Sequence, residues 1–140
     1  MRRRAAWVYA LIGLAGCAAQ PQAAAQRCPA GSGSPVLVVE LFFGRSISGQ
    51  GTLTDQQWAQ FETQVVVPDL PLGFTVFDAS GAWMDPHAHA TMRESTKVLL
   101  VALPESADAL APVERIRDAY RRRFHQQSVG MTVAPACGEF

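Results

Sequence analysis

The sequence predicts an α+β domain of βαββαβ order, a two-layer sandwich in which helices cover one face of an antiparallel sheet. Two observations carry this. Residues 36–43 (VLVVELFF) and 97–103 (KVLLVAL) are apolar, β-branched runs of strand length. Trp58, Phe61 and Val65, and later Val113, Ile116, Tyr120 and Phe124, recur at helical spacing instead. No internal repeat is visible, and the length suits one domain.

The first segment is not part of that domain. Arg2, Arg3 and Arg4 precede a ten-residue apolar stretch, which ends in Leu14-Ala15-Gly16-Cys17. A basic start, a short apolar stretch and small residues before a cysteine read as a secretory signal of lipoprotein type. Residues 1–16 are therefore expected to be removed and Cys17 to carry lipid. By resemblance to bacterial lipoproteins, the non-Asp residue Ala18 implies outer-membrane sorting, facing the periplasm. Residues 17–35, rich in Ala, Gln, Pro, Gly and Ser, read as a tether. Residues 36–140 are the folded domain.

Within it, strand one spans 36–43, bounded by Pro35 and Gly44. Residues 44–52 form a loop. Thr54 and Gln57 form a capping box for the first helix, which Pro68 is expected to end. Strand two, 74–84, carries Ser80-Gly81, a candidate bulge. A turn at 85–89 leads into strand three, 92–103. Residues 106–111 open the last helix, with Pro112 in its first full turn. Arg121, Arg122 and Arg123 fall in its last turns, where positive charge suits the dipole. A short strand, 129–133, closes the chain. This is the split-βαβ pattern of ferredoxin-like folds, with sheet order 4-1-3-2.

Lipidation of Cys17 leaves Cys28 and Cys137. An exported chain meets an oxidising compartment, so one disulfide is expected; the alternatives are free thiols or a bond to another chain. In the predicted topology the end of strand four lies beside the start of strand one, which brings the two cysteines together.

The whole chain has 12 basic and 12 acidic residues and a formal charge of zero. Loss of the three export arginines leaves a balance of −3. That excludes the basic footprint of a nucleic-acid binder. The ten-residue apolar stretch is too short to span a bilayer.

The sheet should have one face under the helices and one open. In strand one, Leu37, Val39, Leu41 and Phe43 are assigned to the helices, leaving Val38, Glu40 and Phe42 open. In strand three, Val98, Leu100 and Ala102 are assigned to the helices, and Lys97, Leu99 and Val101 to the open side. Thr75 and Phe77 join them there. The open face is then apolar with one acid and one base, Glu40 and Lys97. Bare apolar sheet of this extent often marks a binding surface, for a partner, a second copy or a small molecule; the alternative is simple covering by loops or the tether.

The motifs Glu40-Leu41-Phe42-Phe43-Gly44-Arg45-Ser46, Trp58, Phe61, Thr75-Val76-Phe77-Asp78, Gly81, Trp83, Arg93-Glu94-Ser95, Lys97-Val98-Leu99-Leu100, Tyr120, Phe124 and Gln126-Gln127-Ser128-Val129, in this order, resemble the bacterial family known as domain of unknown function 3574. The likeness covers most of the mature chain. It implies a small secreted or lipid-anchored domain with a late cysteine, and no assigned activity. It points to Glu40, Arg45, Glu94 and Gln127 as polar positions to test.

Other chemistry is thinly supported. Asp85, His87 and His89 could supply metal ligands, but from one turn and with no fourth group, so no metal or cofactor is expected. Residues 44–51 (GRSISGQG) lack the Lys and Ser/Thr of a phosphate-binding loop. Glu40, Arg45, Arg93 and Glu94 could build an acid/base or anion site at the strand ends, or simply a salt bridge closing a sheet edge. The leading reading is a lipid-anchored, non-catalytic module that binds a protein partner or itself through Val38, Glu40, Phe42, Phe77, Lys97 and Leu99. The rival is a small-molecule binder or enzyme of dimeric α+β barrel type, with a pocket over Glu40 and Lys97.

Overall fold

The computed structural model describes residues 28–47, 51–85 and 89–139. Four long strands form one antiparallel sheet: β1 (Ser34–Gly44), β4 (Thr75–Asp85), β5 (Ala90–Pro104) and β6 (Gly130–Gly138), in the order β4-β5-β1-β6. Between β1 and the first helix, β2 (Ser46–Ile47) and β3 (Gly51–Thr52) make a small ribbon where a loop was expected. Helix α1 (Asp55–Phe61) and helix α3 (Ala111–Phe124) cover one face of the sheet.

The capping box forms as the sequence predicts. Thr54 Oγ1 accepts from the Gln57 N–H, and Gln57 Oε1 accepts from the Thr54 N–H at 2.8 Å. Pro68 does not end the helix. After α1 the chain takes a π-helical turn (Glu62–Val66) and then a last short turn, α2 (Val67–Asp69). Proline lacks an N–H and its ring crowds the carbonyl four residues back. The wider turn, in which the Val67 N–H donates to the Glu62 carbonyl, shifts the ladder just before Pro68 and lets the helix pass it.

Both helices turn aromatic side chains onto Phe43. Trp58, Phe61 and Tyr120 pack against it edge-on with ring centroids 5.2, 6.2 and 4.8 Å away, and Phe124 closes on Phe61 at 5.7 Å. Val39, Leu41, Leu99, Val113 and Ile116 complete a fully buried core. Truncating Phe43 to alanine there would cost about 3–5 kcal/mol.

Two more boundaries differ from expectation. Residues 106–110 form turns, not the start of α3; the helix opens at Ala111 with Pro112 in its first turn, where its missing N–H costs nothing. Strand β4 pairs with β5 in one unbroken register from Thr75↔Leu100 to Asp85↔Ala90, so Ser80-Gly81 makes no bulge. β1 ends opposite Thr96, and beyond that point β4 and β5 continue as a two-stranded arm.

Cys28 and Cys137 are joined by a disulfide across 109 residues of sequence, with Cα atoms 5.7 Å apart. Cys137 sits opposite Pro35, so the bond ties the entry of β1 to the exit of β6. Gly33 allows this close approach. Its φ is +82°, and a Cβ there would lie 2.1 Å from the Gly138 carbonyl oxygen.

Candidate functional site

The register decides which residues share a face. Phe43 stands opposite Lys97, Leu41 opposite Leu99 and Val39 opposite Val101. Lys97 and Leu99 therefore lie under the helices, and both are buried. Val98, Leu100 and Ala102 lie on the open side. This reverses the sequence assignment for strand three. From Lys97 to Leu103 both alternating sets are apolar except for Lys97 itself, so the strand alone does not phase its two faces. The lysine is tolerated beneath the helices because Asp78 and Asp55 meet its ammonium group at the rim.

The open face carries Val38, Glu40 and Phe42 from β1, Val98 and Leu100 from β5, and Phe77 and Trp83 from β4. Phe42, Phe77, Trp83 and Met92 are large apolar side chains left 37–49% exposed. Phe77 stands opposite Val98, which stands opposite Phe42. Trp83 and Met92 face each other on the arm. The β6 side is shallow, built from Gly130, Thr132, Ala134 and Ala136. Glu40 leans that way, its carboxylate accepting a 2.9 Å hydrogen bond from Thr132 Oγ1. Glu40 and Lys97 occupy opposite faces of the sheet and share no pocket.

Glu94 also lies on the open face, at the base of the arm. It is partly buried, and its carboxylate lies over Gly44 of β1. A Cβ at Gly44 would be 2.8 Å from both carboxylate oxygens. Opposite it in β4 is Gly81, where a Cβ would meet Thr96 Oγ1 at 3.2 Å and Glu94 Cγ at 3.8 Å. Two glycines thus leave a bare floor around one carboxylate. On the far side of that floor Tyr120 donates from its hydroxyl to the Gly44 carbonyl at 2.9 Å. Burial pushes the Tyr120 phenol well above its ordinary pKa; the nearby Glu94 charge adds to this and Arg45 opposes it.

At the same end, beneath the sheet, sits a charged cluster. Lys97 Nζ lies 2.5 Å from Asp78 and 3.2 Å from Asp55. Arg45 Nη1 lies 3.1 Å from Asp55, and Arg45 Nε donates to the Leu53 carbonyl at 2.8 Å. Hydrogen bonding to Lys97, then the Arg45 charge, holds the Asp55 carboxyl below its ordinary range. Lys97 is held above its ordinary value, chiefly by its hydrogen bond to Asp78, which outweighs the cost of burial. These contacts clamp β3 and the start of α1 onto the sheet end. They are structural in character.

The other end of the open face holds a groove of about 920 Å³, lined by Val36, Val38, Leu72, Phe74, Leu100 and Ala102. It is mainly apolar, with Ser34, Thr75 and Glu139 also on its lining, and open to solvent on one side.

The predicted polar cluster does not assemble. Arg45 is engaged with Asp55 and Leu53, and Arg93 and Glu94, as neighbours in a strand, point to opposite faces. Gln127 is exposed; its neighbour Gln126 donates to the Ser46 carbonyl instead. Arg45 and Glu94 do approach in the backbone, through an Arg45 N–H to Ser95 carbonyl bond of 3.0 Å. Cys17 and His87 lie outside the described residues. Asp55, Asp78 and Tyr120 were missed as polar partners. Asp78 alternates in phase with Val76, which was a readable signal, whereas Asp55 meets Lys97 only through the tertiary fold.

Two solved structures share the fold. One is titled a phage SAM lyase in complex with S-methyl-5'-thioadenosine: TM-score 0.55, 13% identity, 77% of this chain and 94% of that chain covered. The other is a phage SAM lyase in the apo state: TM-score 0.54, 13% identity, coverage 83% and 98%. No curated protein sequence matches the chain. A family model described as "Protein of unknown function (DUF3574)" matches residues 38–140.

Proposed function

The chain belongs to the family of proteins of unknown function DUF3574, and on that premise we propose that it is an exported, lipid-anchored module that binds a protein partner through the open face of its sheet. One observation carries this reading. Phe42, Phe77, Trp83 and Met92 project from a single face that none of the described residues covers, with the groove continuing it. Exposed apolar surface of that continuity is costly in water unless something covers it. The four long strands, ordered β4-β5-β1-β6 with both helices on the other side, support a ferredoxin-like reading, in which an open face is the natural docking surface.

The anchor rests on Arg2–Arg4, the short apolar stretch and Cys17. Cys17→Ala should abolish palmitate labelling and release the protein from the membrane fraction; a labelled variant would contradict the anchor. For the face, the wild-type protein in mild detergent extracts should migrate in an assembly larger than itself. Phe42→Glu and Phe77→Glu should each migrate as the lone chain with an unchanged circular dichroism spectrum. A wild type that migrates alone contradicts the reading.

A second reading, small-molecule binding or catalysis, is favoured by the fold shared with a phage SAM lyase. Its pocket would not pair Glu40 with Lys97, which lie on opposite faces. Glu94 on its glycine floor is the carboxylate to test. Calorimetric binding of S-methyl-5'-thioadenosine, lost in Glu94→Gln, would favour this reading over the first.

A further inference from the structure

We infer that two copies of this chain pair edge to edge through β4, antiparallel about a two-fold axis at Ser80, so that two four-stranded sheets become one continuous sheet. This goes beyond the open-face reading, because it uses the free edge of the sheet. The two edges differ. β6 carries Pro135, which has no N–H to offer, and its exit is tied down by the Cys28–Cys137 bond. β4 runs eleven residues, Thr75–Asp85, in one unbroken register, with no proline, lysine or arginine. Ala79, Ser80, Ala82, Trp83 and Met84 are exposed. Among the described residues, no backbone hydrogen bond outside the β5 ladder involves this strand. Its outer row of N–H and C=O groups is a template for another strand.

The two-stranded arm selects a second copy as the occupant. β1 stops opposite Thr96, which stands opposite Ala79, so from Ser80 onward β4 has β5 as its sole neighbour in the sheet. A two-stranded ribbon is marginal in water, and this one exposes Trp83, Met84 and Met92. Antiparallel pairing about Ser80 lays residues 80–85 of each copy along residues 75–80 of the other, where β1 backs the sheet. Each arm is thereby completed by the body of the other copy, which an unrelated strand would not provide.

The side chains fit the same register. Directly opposed residues of an antiparallel pair share a face, and with the axis at Ser80 all eleven residues of β4 are opposed. Phe77 of one copy meets Trp83 of the other, twice by symmetry, on the open face. Val76 meets Met84 on the helix side, and Asp78 meets Ala82. Aromatic and apolar pairs stabilise a sheet, whereas like charges directly opposed destabilise it. An axis at Asp78 would set that aspartate against its own copy. An axis at Gly81 would set Asp78 against Met84 and Trp83 against Ala79. Asp78 is already paired within its own sheet by Lys97, so it does not guard the edge. The edge is self-complementary, as an isologous contact requires.

A single strand edge buries little surface, so the pairing belongs to concentrated protein and not to a dilute extract. The test is sedimentation equilibrium of the purified full mature protein in mild detergent over a concentration series. The wild type should show a monomer–dimer equilibrium. Ser80→Lys and Ser80→Glu each oppose their own charge across the axis, and each should weaken pairing about tenfold or more. An equimolar mixture of the two should pair at least as tightly as the wild type, which only a residue on the axis can produce. Ser80→Cys adds no charge; on mild oxidation it should give a disulfide-linked dimer, and Ala82→Cys, opposed by Asp78, should not. A wild type that stays monomeric at every concentration, wild-type pairing in Ser80→Lys, no recovery in the mixture, or equal cross-linking at Ser80 and Ala82 would each overturn the inference. No protein partner enters these measurements, so their failure leaves the partner reading standing, and loss of the partner reading leaves them valid.

Discussion

Phe43 and Lys97 stand directly opposite each other in β1 and β5, so the single lysine of the chain lies beneath the helices. Its stem packs in the interior while its ammonium group reaches Asp55 and Asp78 at the rim, both largely exposed.

That placement predicts the outcome of two substitutions. Lys97→Met keeps the packed stem and removes the desolvated charge, leaving two aspartates that water already solvates. It should change stability by less than about 1 kcal/mol. Lys97→Ala removes the stem as well and should cost about 2 kcal/mol or more. Urea unfolding monitored by circular dichroism separates them; equal losses would mean that the ion pairs dominate.

The same cluster sets a pH dependence. Asp55 is more acidic folded than unfolded, so its contribution is in place above the ordinary aspartate value, about pH 4, and is lost as pH falls through the folded value. Lys97 is less acidic folded than unfolded. Its contribution is in place below the ordinary lysine value, about 10.4, and is lost as pH rises through the higher folded value. The melting temperature should fall at both extremes from a plateau between. Lys97→Met should flatten both limbs; an unchanged acid limb in that variant would contradict the assignment.

Gly44 and Glu94 should be energetically coupled. Gly44→Ala places a methyl group 2.8 Å from the Glu94 carboxylate oxygens and forces that side chain aside. The displaced atoms are the end of a flexible side chain, so a loss below about 1 kcal/mol is expected. Combined with Glu94→Ala, the same change should be nearly free, because the obstructed group is gone. Strict additivity in this double-mutant cycle would show that the two do not touch.

The disulfide between Cys28 and Cys137 closes a loop of more than one hundred residues. Cys137→Ser should lower stability by up to about 4–5 kcal/mol in the chain-entropy description. Unfolding with and without reductant checks this. The wild type should lose comparable stability on reduction, and the variant should be insensitive to it.

Much of the fold was legible because local chemistry and tertiary packing agree. The Thr54–Gln57 capping box, the stripe ending in Tyr120 and Phe124, and the pairing of the two late-remaining cysteines could all be read along the chain. Strand β5 could not be phased in that way. Val98, Leu100 and Ala102 are as apolar as Leu99, Val101 and Leu103, so only pairing with Phe43 chooses between them. The same limit hid the site. Glu94 and Gly44 are fifty residues apart, and neither shows in sequence that one lies over the other. Pro68 misled for a different reason: a π-helical turn before it removes the clash that normally ends a helix.

The central claim is that the open sheet face is the working surface, and site-specific photo-crosslinking in cells tests it most directly. A benzophenone amino acid at Phe42 or Phe77 should give one discrete protein adduct on irradiation, and at Arg122, exposed on α3, none. Adducts from Arg122 alone, or from none of the three positions, would contradict it.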